Sequence, residues 1–441
     1  MPGKQKQWIV SLTALMIVLA MLVTGCGSTS GGNGAAGGSE GAKPAAGSGT
    51  DKNSGSAVVL KAYTTSGSEK EALDQLNRKF HEENPGITID LEVAPEDQYS
   101  TVIKTRLASG DAPDLFTVWP GKKKDPFASA GYLLDLSDQP WVSRLPAAAK
   151  SVAEYKGKVY GMPADQHVIG VIYNKALFQE LKLDIPTTWE QFLGTAQKIK
   201  DAGKTPLAVG FKDLWITQLI AYPMAANAVH RDNPSFDQQM AEGKADFAGS
   251  AWKKVMEDYV DLNKKGYFNP GLLGTTYDQT AQMIASGQAA MVVNGTWMIP
   301  NLRALKPDLN LGMFPLPYTD SGKPAWISVG PGAFWAASAK TAHPAEVKKY
   351  LEFMSKPENN KVWLNGKKAF PVFTDASADL DPALKDMEGY MKGGVYPFLD
   401  INWPAGVQDT LFMEIQSVFS GGDSIDTMLK KMDEAYKRGN K

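Results

Sequence analysis

Near the start of its folded part, the sequence alternates between strand-like and helix-like hydrophobic patterns. Apolar and polar residues alternate over 87–93, as in a half-buried strand, and short apolar runs at 58–63 and 114–118 predict two further strands. Apolar residues recur at helical spacing over 73–80 and 99–107, between these runs. The order strand, helix, strand, helix, strand predicts a right-handed, parallel α/β sheet.

The strand and helix patterns restart further along the chain. Strands are predicted at 167–173 and 207–211, and helices at 176–183, 189–202, 252–265 and 279–286. The 385 residues from Ala57 onward exceed what one hydrophobic core usually serves, so two α/β lobes are expected. Ligands bind beyond the carboxyl ends of strands in such sheets, so the loops at 64–66 and 119–121 are expected to face one crevice.

The N-terminus has the pattern of a bacterial export signal. Lys4 and Lys6 precede an apolar run over 8–23, which is 16 residues long and short of the roughly 20 needed to span a bilayer. The run ends in Leu-Val-Thr-Gly-Cys, and Cys26 is the only cysteine of the chain. This resembles a lipobox, so residues 1–25 are predicted to be cleaved and Cys26 to carry lipid. A free thiol at Cys26 is the alternative.

Residues 26–56 consist mainly of Gly, Ser, Ala, Thr and Asn, without aromatic or large aliphatic side chains. Such a segment cannot bury a core and is expected to be a flexible tether. Without residues 1–25, 44 Lys and Arg stand against 48 Asp and Glu, a net charge of −4. A mildly acidic chain without long basic runs is not expected to bind nucleic acid.

Four stretches in order resemble a known family: LASGDAPDLFTVW at 107–119, VYGMP at 159–163 with VIYNK at 171–175, GQAAMVVNGTW at 287–297 and GPGAF at 330–334. Each alone is ordinary turn chemistry at a strand end. Together, and behind a lipobox and a Gly/Ser tether, they resemble the extracellular solute-binding proteins of family 1, the maltose-binding-like receptors of ABC sugar importers. The resemblance covers about residues 57–441.

The resemblance implies a two-lobed periplasmic-binding-protein-like fold, in which each lobe is a mainly parallel sheet flanked by helices. Three hinge crossovers are expected near 164–168, 294–295 and 327–330. The implied N-terminal lobe comprises 57–165 and 296–328, and the C-terminal lobe comprises 166–295 and 329–441. A sugar, expected to be an oligosaccharide, would bind between the lobes, and closure would present a monomeric receptor to the ABC permease. The receptor would be lipid-anchored at the outer face of the bacterial cell membrane.

Sugars present apolar C–H faces as well as hydroxyls, so a sugar site needs flat aromatic rings. The aromatic candidates are Trp119, Trp215, Trp297, Tyr396 and Trp403. Trp119 and Trp297 fall where the resemblance implies cleft loops, while Trp215 follows a predicted strand. Core packing is the alternative for all five.

The polar and backbone candidates lie near strand ends and crossovers. Tyr63, Thr65 and Ser66 end the first strand, where their hydroxyls can bind ligand or cap the next helix. Asp165 adjoins the first crossover and is a candidate acceptor of sugar hydroxyls, with a surface turn as the alternative. Two glycines let backbone N–H groups approach a ligand, or serve only the bend; they are Gly330 and Gly332.

No cofactor, metal or catalytic centre is predicted. The four histidines show no metal-binding spacing, and the chain lacks the nucleophile-elbow, phosphate-loop and dinucleotide-binding motifs. Two alternatives remain open. One is a secreted glycoside hydrolase, which also needs aromatics and carboxylates in a cleft. The other is the same fold binding a peptide, polyamine or metal chelate.

Overall fold

The computed structural model describes residues 57–65, 70–320 and 322–440. The predicted signal peptide (1–25), the tether (26–56) with Cys26, and the candidate Ser66 lie outside the described residues. In the described part of the chain, no helix has both the length and the apolar composition needed to cross a bilayer.

Strands and helices alternate through most of the chain. The strands are β1 (Val58–Thr65), β2 (Ile87–Ala94), β3 (Leu115–Val118), β4 (Glu154–Tyr155), β5 (Lys158–Val159), β6 (Gln166–Asn174), β7 (Thr205–Leu207), β8 (Ala289–Gly295), β9 (Leu311–Phe314), β10 (Ile327–Pro331), β11 (Phe334–Ala337) and β12 (Val395–Pro397). The helices are α1 (Lys70–Glu83), α2 (Glu96–Ser109), α3 (Asp125–Ser129), α4 (Ala147–Ala153), α5 (Lys175–Glu180), α6 (Trp189–Asp201), α7 (Gln218–Ala225), α8 (Phe236–Ala241), α9 (Trp252–Lys264), α10 (Tyr277–Ala285), α11 (Met298–Leu305), α12 (Pro344–Ser355), α13 (Pro357–Lys367), α14 (Pro382–Met391), α15 (Val407–Ser420) and α16 (Ile425–Gly439). Short 3₁₀ turns lie at Gly121–Lys123, Pro140–Arg144, Leu214–Thr217 and Leu399–Ile401, and a π turn at Ala226–His230.

The strands form two main sheets. The first has the order β11-β3-β1-β2, and the second has the order β12-β10-β6-β8-β7, with β9 also paired to β6. In the first sheet β1 pairs in parallel with β2 and β3, as the sequence pattern predicted, while β11 is antiparallel to β3. In the second sheet β6 is antiparallel to β8, β9 and β10, and the remaining pairs are parallel. Each sheet is therefore parallel except for one reversed strand.

The reversed strands are those that enter a sheet directly from the other one. Strand β6 follows the first passage between the sheets, next to Asp165, and β11 follows the second passage, at 331–334. Residues in the first half of β11 and of β6 pair with the last residues of the parallel strands β3 and β8. Each of the two strands therefore runs antiparallel to its neighbours. The carboxyl ends of the parallel strands consequently face the passages in both sheets.

Each sheet has its own core. The first sheet packs against α1, α12 and α13 around Trp141, Trp335 and Trp363. The second sheet is covered on one face by α6, α7, α9, α15 and α16, and on the other by α10, α11 and α14. These two packed halves are the lobes of the molecule, called the first and second lobes below.

The pairing of the strands differs from the predicted division into lobes. We expected 296–328 in the N-terminal lobe, but its strand β9 pairs with β6 in the second sheet. Conversely, 329–441 was expected in the C-terminal lobe, but β11 pairs with β3, and α12 and α13 pack on the first sheet. The chain does not change lobes at Gly295, because the apolar residues of α11 pack directly on the second sheet.

Two of the three passages therefore lie elsewhere than expected, and none lies at the predicted 294–295. The first is at 164–166, as predicted, the second at 331–334, and the third between Phe373 and Asp381. Gln166 exchanges backbone hydrogen bonds of 2.9 Å with Phe370, just before the third passage. Three adjacent connections restrict the relative motion of two lobes to hinge bending.

Candidate functional site

The candidate site lies where the carboxyl ends of the parallel strands in the two sheets face each other. The end of β1 and the loop after β3 come from the first lobe, and the loops after β7, β8 and β12 come from the second. Ligands of parallel α/β sheets bind at this edge. Most of the predicted site residues that the structure describes lie at these strand ends or beside the passages.

The second lobe contributes an aromatic wall to this site, centred on Trp297. Trp297 directly follows β8 and Thr296, and its half-buried ring lies 6.4 Å from the ring of Trp215, which lies in the turn after β7. Phe398, in the loop after β12, meets Trp297 edge-on at 6.1 Å, and His167 meets it edge-on at 5.4 Å. The ends of β7, β8 and β12 thus bring the two predicted tryptophans, Trp215 and Trp297, together with Phe398.

Neighbouring groups fix the orientation of this aromatic wall. Tyr277 lies against Trp215 at a centroid distance of 5.3 Å, and its backbone N–H donates to Asp213 Oδ2 at 2.6 Å. The α10 helix that begins at Tyr277 has a capping box, in which the Thr276 hydroxyl accepts from the backbone N–H of Gln279. The wall is therefore supported by the start of a capped helix.

The first lobe contributes Trp119, which directly follows β3 and is half-buried. Its ring meets Tyr99 edge-on at 5.6 Å. The buried Tyr99 hydroxyl donates to the Thr117 carbonyl at 2.7 Å and accepts from the Thr117 N–H at 2.9 Å, which locks α2 to β3. Thr65, at the end of β1, is also half-buried and is available at the same edge.

The two lobes touch beside these aromatic rings. The turn Gly121–Lys123, just after Trp119, packs against the turn Leu399–Ile401, just after Phe398. A β-carbon at Gly121 would overlap the backbone carbonyl of Ile401. The direct interlobe contact is therefore made by the turns that come just after Trp119 and just after Phe398.

Tyr63 lies in the interior of the first lobe, so its ring is not a ligand contact. Its side chain is 1% exposed, stacks on Tyr99 at 4.7 Å, and is covered by the Arg106 guanidinium at 4.6 Å. Burial raises the pKa of the Tyr63 hydroxyl. The residue joins α2 to β1, a packing role that its position at a strand end did not indicate.

Asp165 connects the passages between the lobes. It is 1% exposed, and its carboxylate accepts from the Trp363 indole N–H at 2.7 Å and the Gly332 N–H at 3.1 Å, with His167 Nε2 at 3.2 Å. Burial alone would raise the pKa of this carboxyl, but the charges of His167 and Lys367 hold it below its ordinary value. With its oxygens occupied in this way, Asp165 is a hinge residue and not the expected acceptor of sugar hydroxyls.

The two predicted glycines serve close packing at the hinge. A β-carbon at Gly332 would overlap the Asp165 carboxylate, and one at Gly330 would overlap the Phe398 ring. Gly332 thus permits the hydrogen bond to Asp165, and Gly330 permits Phe398 to support the aromatic wall. Both glycines therefore have a structural role, which agrees with the alternative that they serve the bend and do not contact a ligand.

Trp403 is buried in the second lobe, whereas Tyr396 is half-buried and packs against the same core. Tyr396 stacks on His230 at 4.2 Å, and its hydroxyl donates to Asp237 Oδ2 at 3.0 Å. Trp403 is 4% exposed and packs against Tyr222, at 5.9 Å between ring centroids. Core packing, the alternative interpretation, describes Trp403, whereas the half-buried Tyr396 stays a candidate.

Sequence reasoning missed several residues of the site. Phe398 and Tyr277 complete the aromatic wall, His167 links it to the hinge, and Lys123 and Asp400 meet across the lobes at 2.9 Å. Phe398 could have been found, since it comes two positions after the candidate Tyr396, where β12 has ended. The partners of the others depend on tertiary contacts that no local pattern reveals.

Within the described ranges, no group of three or more His, Cys, Asp or Glu side chains is arranged to hold a metal ion. The chemistry that the site offers is stacking on aromatic faces, hydrogen bonding from backbone groups at strand ends, and enclosure between two hinged lobes.

The chain is similar to known binding proteins over most of its length. It is 28% identical to the multiple sugar-binding protein of Streptococcus mutans over 308 residues, 68% of this chain and 71% of that protein. It is 24% identical to the melibiose/raffinose/stachyose-binding protein of Bacillus subtilis, over 86% of this chain and 89% of the relative. The relatives named here are binding proteins.

Solved structures share the two-lobed fold. A sugar transporter of Bacillus licheniformis, solved in complex with stachyose, superposes with a TM-score of 0.74 at 23% identity, over 86% of this chain and all of that one. The sequence pattern of the family described as bacterial extracellular solute-binding protein matches residues 63–361, more than half of the chain. The chain therefore belongs to the bacterial extracellular solute-binding protein family.

Proposed function

We propose that this protein is the extracytoplasmic receptor of an ABC importer and that it binds a neutral oligosaccharide between its two lobes. The observation that carries the proposal is the group of half-buried aromatic rings from both lobes at the facing strand ends, formed by Trp119, Trp215 and Trp297. Aromatic faces match the C–H faces of sugar rings and do not select for charge.

The charged groups near these rings support a neutral ligand. The Asp165 carboxylate is compensated by its partners Trp363 and His167 at the hinge. Asp213 accepts a hydrogen bond from a backbone N–H, and Lys123 pairs with Asp400. A polyamine receptor needs cleft carboxylates whose charge is not already compensated. The similarity to a multiple sugar-binding protein and to a melibiose/raffinose/stachyose-binding protein supports an oligosaccharide for this chain as well.

The proposal includes delivery by hinge closure. A ligand that contacts both lobes stabilises the closed form over the open form, and a permease can distinguish the two. In this proposal the receptor acts as a monomer and has no catalytic activity. Sedimentation of a dimer, or release of reducing sugar from an oligosaccharide, would contradict these two parts respectively.

A thermal-shift screen tests the ligand class. At a ligand concentration 100 times Kd, binding to the folded state alone contributes about 2.7 kcal/mol. We expect raffinose-type and other neutral oligosaccharides to raise the melting temperature by a few degrees, with no rise for spermidine or for short peptides. Small-angle scattering should show compaction with the same sugar. A shift with spermidine but with no sugar would refute the oligosaccharide proposal.

We also infer lipid attachment at Cys26, from the lipobox-like sequence and the absence of a second cysteine. Replacing Cys26→Ser should move the protein from the membrane fraction to the medium, because a serine cannot accept the thioether-linked lipid. Metabolic labelling with an alkyne fatty acid should lose its signal in the variant. Persistent labelling would place the lipid elsewhere.

A further inference from the structure

An ion pair joins the two lobes beside the candidate site. Lys123 Nζ lies 2.9 Å from Asp400 Oδ2, and the two side chains are 33% and 14% exposed. Lys123 belongs to the turn after β3 in the first lobe, whereas Asp400 belongs to the turn after β12 in the second. Because the residues lie on different lobes, their separation depends on the angle of the hinge.

The lobes hold both charged groups in place. On the first lobe, the neighbouring Lys124 is 1% exposed, and its ammonium donates to the Glu154 carbonyl at 2.6 Å and to Asp125 Oδ1 at 3.0 Å. This buried lysine fixes the turn that presents Lys123. A fixed backbone lowers the entropy lost when Lys123 pairs, because only its side chain then has to be ordered.

On the second lobe, the Asp400 carboxylate lies beside the buried hydroxyl of Tyr222. Burial, and then the charge of Asp400, raise the pKa of that hydroxyl. Gln408 donates to the Tyr222 oxygen at 3.2 Å and secures it from the other side. The carboxylate is therefore presented toward the first lobe by a fixed support.

The backbone contact next to the pair makes it sensitive to small hinge movements. Gly121 packs so closely on Ile401 that a β-carbon would not fit. Opening of the lobes would separate these backbones and lengthen the ion pair, and water and salt would then screen it.

We propose that Lys123 and Asp400 form an electrostatic latch that holds the lobes closed and slows ligand release. The inference rests on the proposed function for its ligand, but not for the latch itself. A ligand enclosed between two lobes leaves only after they open, so each contact specific to the closed form lowers the dissociation rate. Release of an uncharged sugar is consequently faster at high ionic strength.

A double-mutant cycle on the dissociation rate tests the latch. The variants are Lys123→Met, Asp400→Asn and the double variant, and stopped-flow tryptophan fluorescence follows sugar release. Each single change should raise the dissociation rate 3- to 10-fold, roughly what the loss of one partly buried ion pair permits. The double variant should be no faster than the faster single one, and its rate should no longer depend on salt.

Lys122 offers a matched control on the same turn. It is 60% exposed and faces Asp125 of its own lobe at 3.8 Å, so Lys122→Met removes the same charge without touching the latch. Its dissociation rate should equal that of the wild type. An equal acceleration in Lys122→Met and Lys123→Met, or additive effects of the two latch variants, would overturn the proposal.

A measurement without ligand separates the latch from the proposed function. Spin labels at Lys104→Cys on α2 and Asp409→Cys on α15, both exposed, report the interlobe distance in a Cys26→Ser background. Lys123→Met should add a population of longer interlobe distances. High salt should do the same in the spin-labelled protein that retains both Lys123 and Asp400. If the distance distribution stays unchanged under both conditions, the latch is absent, whatever the protein binds.

Discussion

Replacing Trp297→Ala is expected to weaken oligosaccharide binding by about 2 kcal/mol or more, close to 30-fold in Kd. The ring lies in the aromatic wall between Trp215 and Phe398, and its loss removes a stacking face and leaves its two neighbours without support. Isothermal titration calorimetry with the sugar identified by thermal shift measures the effect. The secondary structure should be unchanged, because the ring is only half-buried.

Two further variants make the Trp297 result specific. Trp297→Phe keeps an aromatic face and should recover most of the affinity. Trp189→Ala removes another half-buried tryptophan that stacks on Phe192 within α6, away from the strand ends, and should leave affinity unchanged. If Trp297→Ala binds like the wild type while it remains folded, Trp297 does not belong to the site.

The first sheet could be predicted from sequence because its pattern is local. Runs at 58–63, 87–93 and 114–118 correspond to β1, β2 and β3, each shifted by at most two residues at its ends. Period-two alternation separates strands from helices without knowledge of their partners. The parallel pairing is the usual result when a helix crosses over between successive strands of one sheet.

The division into lobes could not be predicted in the same way. The short apolar strand β9 suits an edge of either sheet, and only its antiparallel pairing with β6 assigns it to the second. Equally, nothing local shows that β11 returns to the first sheet beside β3. The family resemblance gave the number of passages, but the position of two of them depends on these long-range pairings.

The candidate site shows the same distinction between local patterns, which the sequence reveals, and long-range contacts, which it does not. Asp165 was recognised as special by its place at a passage, yet its role follows from the Trp363 N–H, 198 positions away along the chain. Trp297 and Trp403 both follow strands that end at the candidate site. What separates them is burial: the first is half-buried, and the second is 4% exposed. The hydrophobicity of tryptophan suits either place.

Trp403→Ala is expected to lower the free energy of unfolding by about 3–5 kcal/mol, the usual loss for a large buried aromatic. Its ring packs against Phe247 at 5.7 Å, Tyr222 at 5.9 Å and Trp252 at 6.0 Å, so alanine leaves a cavity in the core of the second lobe. Urea denaturation followed by circular dichroism measures the loss. Trp403→Phe should lose less, because it retains much of the buried volume.

Sugar binding separates this result from that of Trp297. At temperatures where Trp403→Ala is folded, its Kd should equal that of the wild type, because the ring lies inside the lobe and not at its surface. The same substitution thus removes affinity at one tryptophan and stability at the other. A folded Trp403→Ala protein that lost affinity as strongly as Trp297→Ala would instead require the ligand, or the closed state, to depend on the Phe247 and Tyr222 cluster.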